Sequence, residues 1–139
     1  MASPQQHKAV VREAFEAWDA GDAAGFESVY AEDVTHPGLK IDGGVGELQS
    51  ILDVWLQAFP DLEHTVDAMV AEGDWVATRF TVTGTHEGVF QGIEPTGETI
   101  AIPGMAMERV ENGKIVERWL VEDLLSFYTQ LGAVDPPGA

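Results

Sequence analysis

Residues 99–122 read TIAIPGMAMERVENGKIVERWLVE. Asn112-Gly113 at their centre is the strongest hairpin signal in the chain, because both residues tolerate the positive φ of a tight two-residue turn. The flanking runs predict two long strands, Thr99 to Val110 and Lys114 to Glu122. Pro103-Gly104 predicts a bulge or bend in the first of them. Upstream, Trp75 to Thr85 alternates Val76, Thr78, Phe80 and Val82 against Ala77, Arg79, Thr81 and Thr83, the period of a pleated strand. Gly73-Asp74 reads as the turn joining it to another strand, Leu62 to Glu72. A loop carrying Gly88, Gly92, Pro95 and Gly97 follows Thr85.

The N-terminal half has the other period. Ser3-Pro4 opens a helix with a capping hydroxyl and a first-turn proline. Val11, Ala14, Phe15 and Trp18 recur at helical spacing, and Gly21 is its stop. Asp22 caps a shorter helix carrying Phe26, Val29 and Tyr30. Val34-Thr35-His36 is extended, and Leu39 to Gly46 reads as a glycine-rich loop. Leu48, Ile51, Leu52, Trp55, Leu56 and Phe59 make a third amphipathic helix ended by Pro60. Leu124 to Leu131 suits a short terminal helix. Helices followed by consecutive strands indicate an α+β class. With 139 residues, one domain over 1–139 is expected, its helices packed on one face of a curled, mainly antiparallel sheet.

Composition narrows the function. The chain has no cysteine, which removes disulfides, thiolate metal sites and cysteine nucleophiles. Asp and Glu total 24 against 7 Lys and Arg, a formal net charge of −17. Such a surface repels nucleic-acid phosphates and anionic membranes. The acidic residues are spread along the chain, which suggests a salt-adapted host in which cations screen the self-repulsion. No run approaches the roughly 20 apolar residues of a membrane span, and no secretory signal opens the chain, so a cytoplasmic protein is expected.

Phe59-Pro60-Asp61, Glu72-Gly73-Asp74, Thr83-Gly84-Thr85-His86, Pro95-Thr96-Gly97, Asn112-Gly113-Lys114-Ile115-Val116-Glu117-Arg118-Trp119 and Gln130-Leu131-Gly132 together resemble the SnoaL-like polyketide cyclases. These are the ester cyclases of the nuclear transport factor 2-like superfamily. The resemblance runs from about Lys8 to Gly132. It implies a cone-shaped α+β barrel around a deep cavity, and homo-oligomers, dimers or tetramers, formed through the sheet. It also implies ring closure by intramolecular aldol condensation without metal or organic cofactor. The carboxylate used by the family follows the tryptophan after the last hairpin, which here points to Asp123 after Trp119. Relatives in the superfamily include isomerases, dehydratases, epoxide hydrolases and proteins without a known reaction, so fold alone does not name a substrate.

The residues supply the candidates independently. Strict alternation from Ile115 puts Glu117, Trp119, Val121 and Asp123 on one face of the last strand, with Glu122 on the other face and solvated. A carboxylate on an apolar face is desolvated, which raises its pKa toward the range useful for proton transfer. The competing reading makes Asp123 a cap of the terminal helix. His36 and His86, each at the end of an extended segment, are candidates to bind a carbonyl oxygen, or else simply bond nearby backbone. The four histidines lack metal-ligand spacing, and His64 has no evident partner. Trp18, Trp55, Phe59, Phe80, Met105, Met107 and Trp119 are expected to wall an apolar pocket for a small hydrophobic carbonyl compound. The rival functions are a non-catalytic binder of hydrophobic metabolites and an isomerase, dehydratase or epoxide hydrolase on the same scaffold.

Overall fold

The computed structural model describes residues 2–39, 43–136 and 138. Part of the glycine-rich segment expected as a loop, 40–42, lies outside them. Helix α1 spans Pro4–Ala20 and starts in a reciprocal capping box: the Ser3 hydroxyl accepts from the Gln6 amide, and the Gln6 side chain accepts from the Ser3 amide. It stops at Gly21 in the left-handed conformation. Helix α2 covers Ala23–Val29, strand β1 Tyr30–Thr35, and a 3-10 turn Pro37–Leu39. Helix α3 is Val45–Ala58, followed by β2 (Glu63–Glu72), β3 (Trp75–Thr85), β4 (Thr99–Glu111), β5 (Lys114–Glu122) and α4 (Leu124–Gln130). The expected hairpin turn is present, with Asn112 and Gly113 both at positive φ.

The sheet is five-stranded in the order β1-β5-β4-β3-β2. Three of its pairings are antiparallel, and β1 joins β5 in parallel, so the sheet is mixed. It is open, with β1 and β2 as edges, where a barrel was expected. Helix α1 packs against β2 and β3, and α3 against β1. The buried core lies between these helices and the inner face of the sheet, including Val11, Phe15, Phe26, Leu52, Phe59, Phe80, Ile102 and Phe127. This layering is the α+β arrangement that the segregated periods predict.

The pairing at two places matters more than the strand boundaries. No register shift occurs at Pro103-Gly104: Phe80 pairs with Gly104 and Thr81 with Pro103 in an unbroken ladder. Gly104 is there for space, since a Cβ at that position would sit 2.5 Å from Cζ of Phe80. One register shift lies in β2 between Val66 and Ala68, and the one that bears on the site is at the hairpin end of β5. Val110 pairs with Ile115, but Arg109 pairs with Glu117, so Val116 is an extra residue. A bulge places two residues opposite one and reverses the inward-outward alternation beyond it. Ile115 is therefore buried, and after the bulge Arg118, Leu120 and Glu122 point inward while Trp119 and Val121 point out.

Candidate functional site

A pocket opens between the inner sheet face and the helices. Phe15 and Trp18 of α1, Tyr30 of β1, His36, Ile51 and Trp55 of α3 line it from one side. His64 of β2, Val82 of β3, Glu108 of β4, and Arg118, Leu120 and Glu122 of β5 line it from the sheet. Its cavity volume is about 80 Å³. A dry cavity of about 150 Å³ holds benzene, so the enclosed part takes one end of a ligand and the remainder lies in the mouth.

The polar groups have specific origins in the fold. His64 sits near the start of β2, opposite Val82, and its Nδ1 lies 2.6 Å from Oδ1 of Asp19 near the end of α1. Both carboxylate oxygens of Asp19 also accept the His64 backbone N–H, at 3.0 Å. A carboxylate on Nδ1 fixes the tautomer with its proton there, leaving Nε2 as the nitrogen with a free lone pair. The ring is held further by Phe15 and Phe80, with centroids 5.5 and 5.6 Å away.

Glu122 faces Gly104 across the β4–β5 ladder. Burial pushes its carboxyl above the usual range, and His64 and Arg118 pull it back only in part. Glu108 faces Arg118 across the same ladder, both buried, with Nε and Oε2 3.7 Å apart. That separation is too long for a hydrogen bond, and neither atom has another partner among the described residues. Burial also raises the Glu108 pKa, partly offset by Arg118. Above this pair, Trp18 donates to the Tyr30 hydroxyl at 2.8 Å. Burial drives the Tyr30 phenol up to about 12, so it stays neutral. His36 is 1% exposed, and its Nδ1 has no partner among the described residues. Burial, then the Arg118 charge, depress its pKa to about 4, so it too is neutral near pH 7.

The sequence candidates divide sharply. Trp18, Trp55 and His36 line the pocket. Phe59 and Phe80 are buried core beside it. Met105, Met107 and Trp119 do not reach it: they lie on the outer sheet face, 62%, 48% and 44% exposed. His86 is also outside the lining. It stacks on Phe59, its Nδ1 accepts the Thr96 amide, and it pins the loop between β3 and β4. Asp123 is exposed at the N-cap of α4, where its Oδ1 accepts the Ser126 amide at 3.0 Å. The expected apolar face beneath it is the outer face, because of the bulge at Val116. Glu122, expected in solvent, is the inward carboxylate, and His64 does have a partner.

Asp19, His64, Glu108 and Arg118 were missed. Glu108 did carry a signal: it continues the buried alternation of Ile100, Ile102, Ala106 and Val110. Asp19 carried none, since its partner is 45 residues away. Among the described residues no group of three His, Asp or Glu is arranged to hold a metal ion, and no helix is long and apolar enough to cross a membrane.

The same arrangement of helices and sheet recurs in solved structures. TsrD from Streptomyces laurentii superposes with a TM-score of 0.88 at 24% identity, covering 96% of this chain and 100% of that one. AclR from Streptomyces galilaeus, a proposed hydroxylase, gives 0.86 at 32% identity over 96% and 85%. IdmH from Streptomyces antibioticus, a proposed polyketide cyclase, gives 0.80 at 29% identity over 91% and 99%. No curated protein matches the chain. Residues 8–131 match the family model described as SnoaL-like polyketide cyclase. The chain belongs to the SnoaL-like polyketide cyclase family.

Proposed function

We propose that the protein is an acid/base enzyme that removes a proton next to a carbonyl in a small, largely apolar substrate and closes a ring by aldol addition. The observation that carries this reading is the His64–Asp19 contact at 2.6 Å beside the half-buried, inward-facing Glu122. Nε2 of His64 takes the α-proton, and the C–H electron pair becomes the enolate. The enolate carbon attacks a second carbonyl of the same substrate, and the new alkoxide takes the proton held by Glu122. Transfer from the His64 imidazolium to Glu122 restores both groups. A raised Glu122 pKa suits the acid, and a histidine oriented by a carboxylate suits the base. Neutral His36 and Tyr30 line the same pocket as hydrogen-bonding groups, and Trp18 and Trp55 supply aromatic walls. The mechanism itself requires no added cofactor. Asp123 serves as the cap of α4.

Exchange of α-protons in D2O, followed by NMR on small cyclic ketones and β-keto esters, tests the first step without requiring the natural substrate. The protein should accelerate exchange. Glu122→Gln should slow ring closure by about 10²-fold. Asp123→Ala should leave exchange intact and cost about 1 kcal/mol of stability through the lost cap. Tight binding of ketones with no exchange in any of them would favour the binding-module reading instead.

The outer sheet face suits a second copy of the chain. Val70 pairs with Ala77, Ala77 with Met107, and Met107 with Trp119 across four strands, with Met105 beside Val121. Val121 is 74% exposed and Val70 65%. An apolar patch edged by Arg79, which pairs with Met105, on an otherwise acidic molecule fits a self-complementary two-fold contact. Met105→Glu should shift the sedimentation coefficient to that of a 15.0 kDa monomer. A wild type that already sediments as a monomer at high concentration removes the idea.

A further inference from the structure

We infer that the inner end of the pocket recognises a carboxylate, so that the substrate is a planar apolar oxo acid. The inference deepens the proposed function by naming the substrate class, and it rests on the same pocket being the reaction site. Arg118 is 7% exposed, yet it makes no hydrogen bond among the described residues. Its Nε faces Glu108 at 3.7 Å without bonding to it. Its guanidinium carbon lies 5.1 Å from the Trp18 ring centre and 5.9 Å from that of Tyr30, so two aromatic faces hold the group in place. A buried guanidinium held this way, lining a cavity, leaves its terminal N–H groups for a ligand.

The geometry favours an anion with two coplanar oxygens, since the guanidinium fork matches a carboxylate in a bidentate way that an ammonium does not. The neighbours agree. His36 Nδ1, also unpartnered and 1% exposed, lines the same end. Burial raises the Glu108 pKa and Arg118 lowers it in part, and at 3.7 Å this carboxyl competes for Arg118 without a hydrogen bond to it. Trp18, Trp55 and Phe15 are flat walls suited to a ring. The cavity of about 80 Å³ holds a carboxylate and part of one ring, and His64 and Glu122, less buried than Arg118 and His36, lie where the substrate carbonyl would then fall. The overall charge of −17 opposes an anion at long range, so selectivity for an acid has to come from this local site.

Benzoate and its neutral isostere benzamide are the probes, with binding read from the fluorescence of Trp18 and Trp55. Wild type should bind benzoate about 10- to 100-fold more tightly than benzamide, the span of a charge-assisted hydrogen-bond pair. Arg118→Met should abolish that preference, and Arg118→Lys should restore part of it. Should Arg118→Met fail to fold, Glu108→Gln provides the second arm: with its competitor neutralised, Arg118 should hold benzoate at least as tightly as wild type. Equal affinity for the two probes, undiminished benzoate binding in Arg118→Met, or weakened binding in Glu108→Gln would each overturn the inference. Proton exchange on neutral ketones separates the two proposals. Exchange without benzoate preference sinks only the carboxylate site, and benzoate preference without exchange sinks only the reaction.

Discussion

His64→Gln should lower the rate of α-proton exchange and of turnover by about 10²- to 10⁴-fold, the range of a positioned general base. Glutamine approximates the reach of the ring and can still bond Asp19, so the 2.6 Å contact that ties β2 to α1 has a substitute. What disappears is the basic nitrogen. Asp19→Asn should produce a comparable loss by a different route. An amide can present its N–H to Nδ1 and stabilise the tautomer whose lone pair points away from the pocket. Its side chain would still bond the His64 backbone, which the carboxylate now meets at 3.0 Å. Exchange rates in D2O, with benzoate binding as a check on pocket integrity, read out both variants. Wild-type exchange by His64→Gln, with the fold intact, would remove this residue from the chemistry.

The largest effect on stability is expected at Phe59. Its ring lies 5.8 Å from Trp55, 6.0 Å from Phe90 and 5.8 Å from Phe127, and it stacks on His86 at 5.3 Å. It is 0% exposed, and it packs so close to β3 that a Cβ added at Gly84 would meet its Cβ at 3.2 Å. Phe59→Ala should cost about 3–5 kcal/mol, combining lost transfer energy with a cavity that four fixed rings cannot easily fill. Against a typical total of about 5–15 kcal/mol, that is a large fraction of the fold's margin. Urea unfolding should show a much lower midpoint at an unchanged slope. A loss under about 1 kcal/mol would mean that the cluster collapses around the gap. Because Trp55 belongs to both the cluster and the pocket wall, ligand affinity should fall with stability in this variant.

Local sequence chemistry by itself determined the elements and their class. The Ser3-Pro4 helix start, Gly21, the Asn112-Gly113 turn and the change of period after Asp61 depend on neighbours within a few residues, and the structure reproduces them. Motif order also led to the family. The tertiary structure alone decided which side of β5 faces the pocket. One extra residue at Val116 reverses every side chain after it, taking Trp119 and Val121 outward and bringing Arg118 and Glu122 inward. A bulge leaves little trace in a sequence, because it is defined by the partner strand and not by the residue inserted. The pairing of Asp19 with His64 is hidden for a related reason. It follows from how α1 lies across β2, a packing choice made by Phe15, Trp18 and Phe80 at long range. Alternation says only that a strand has two faces, and the core chooses between them.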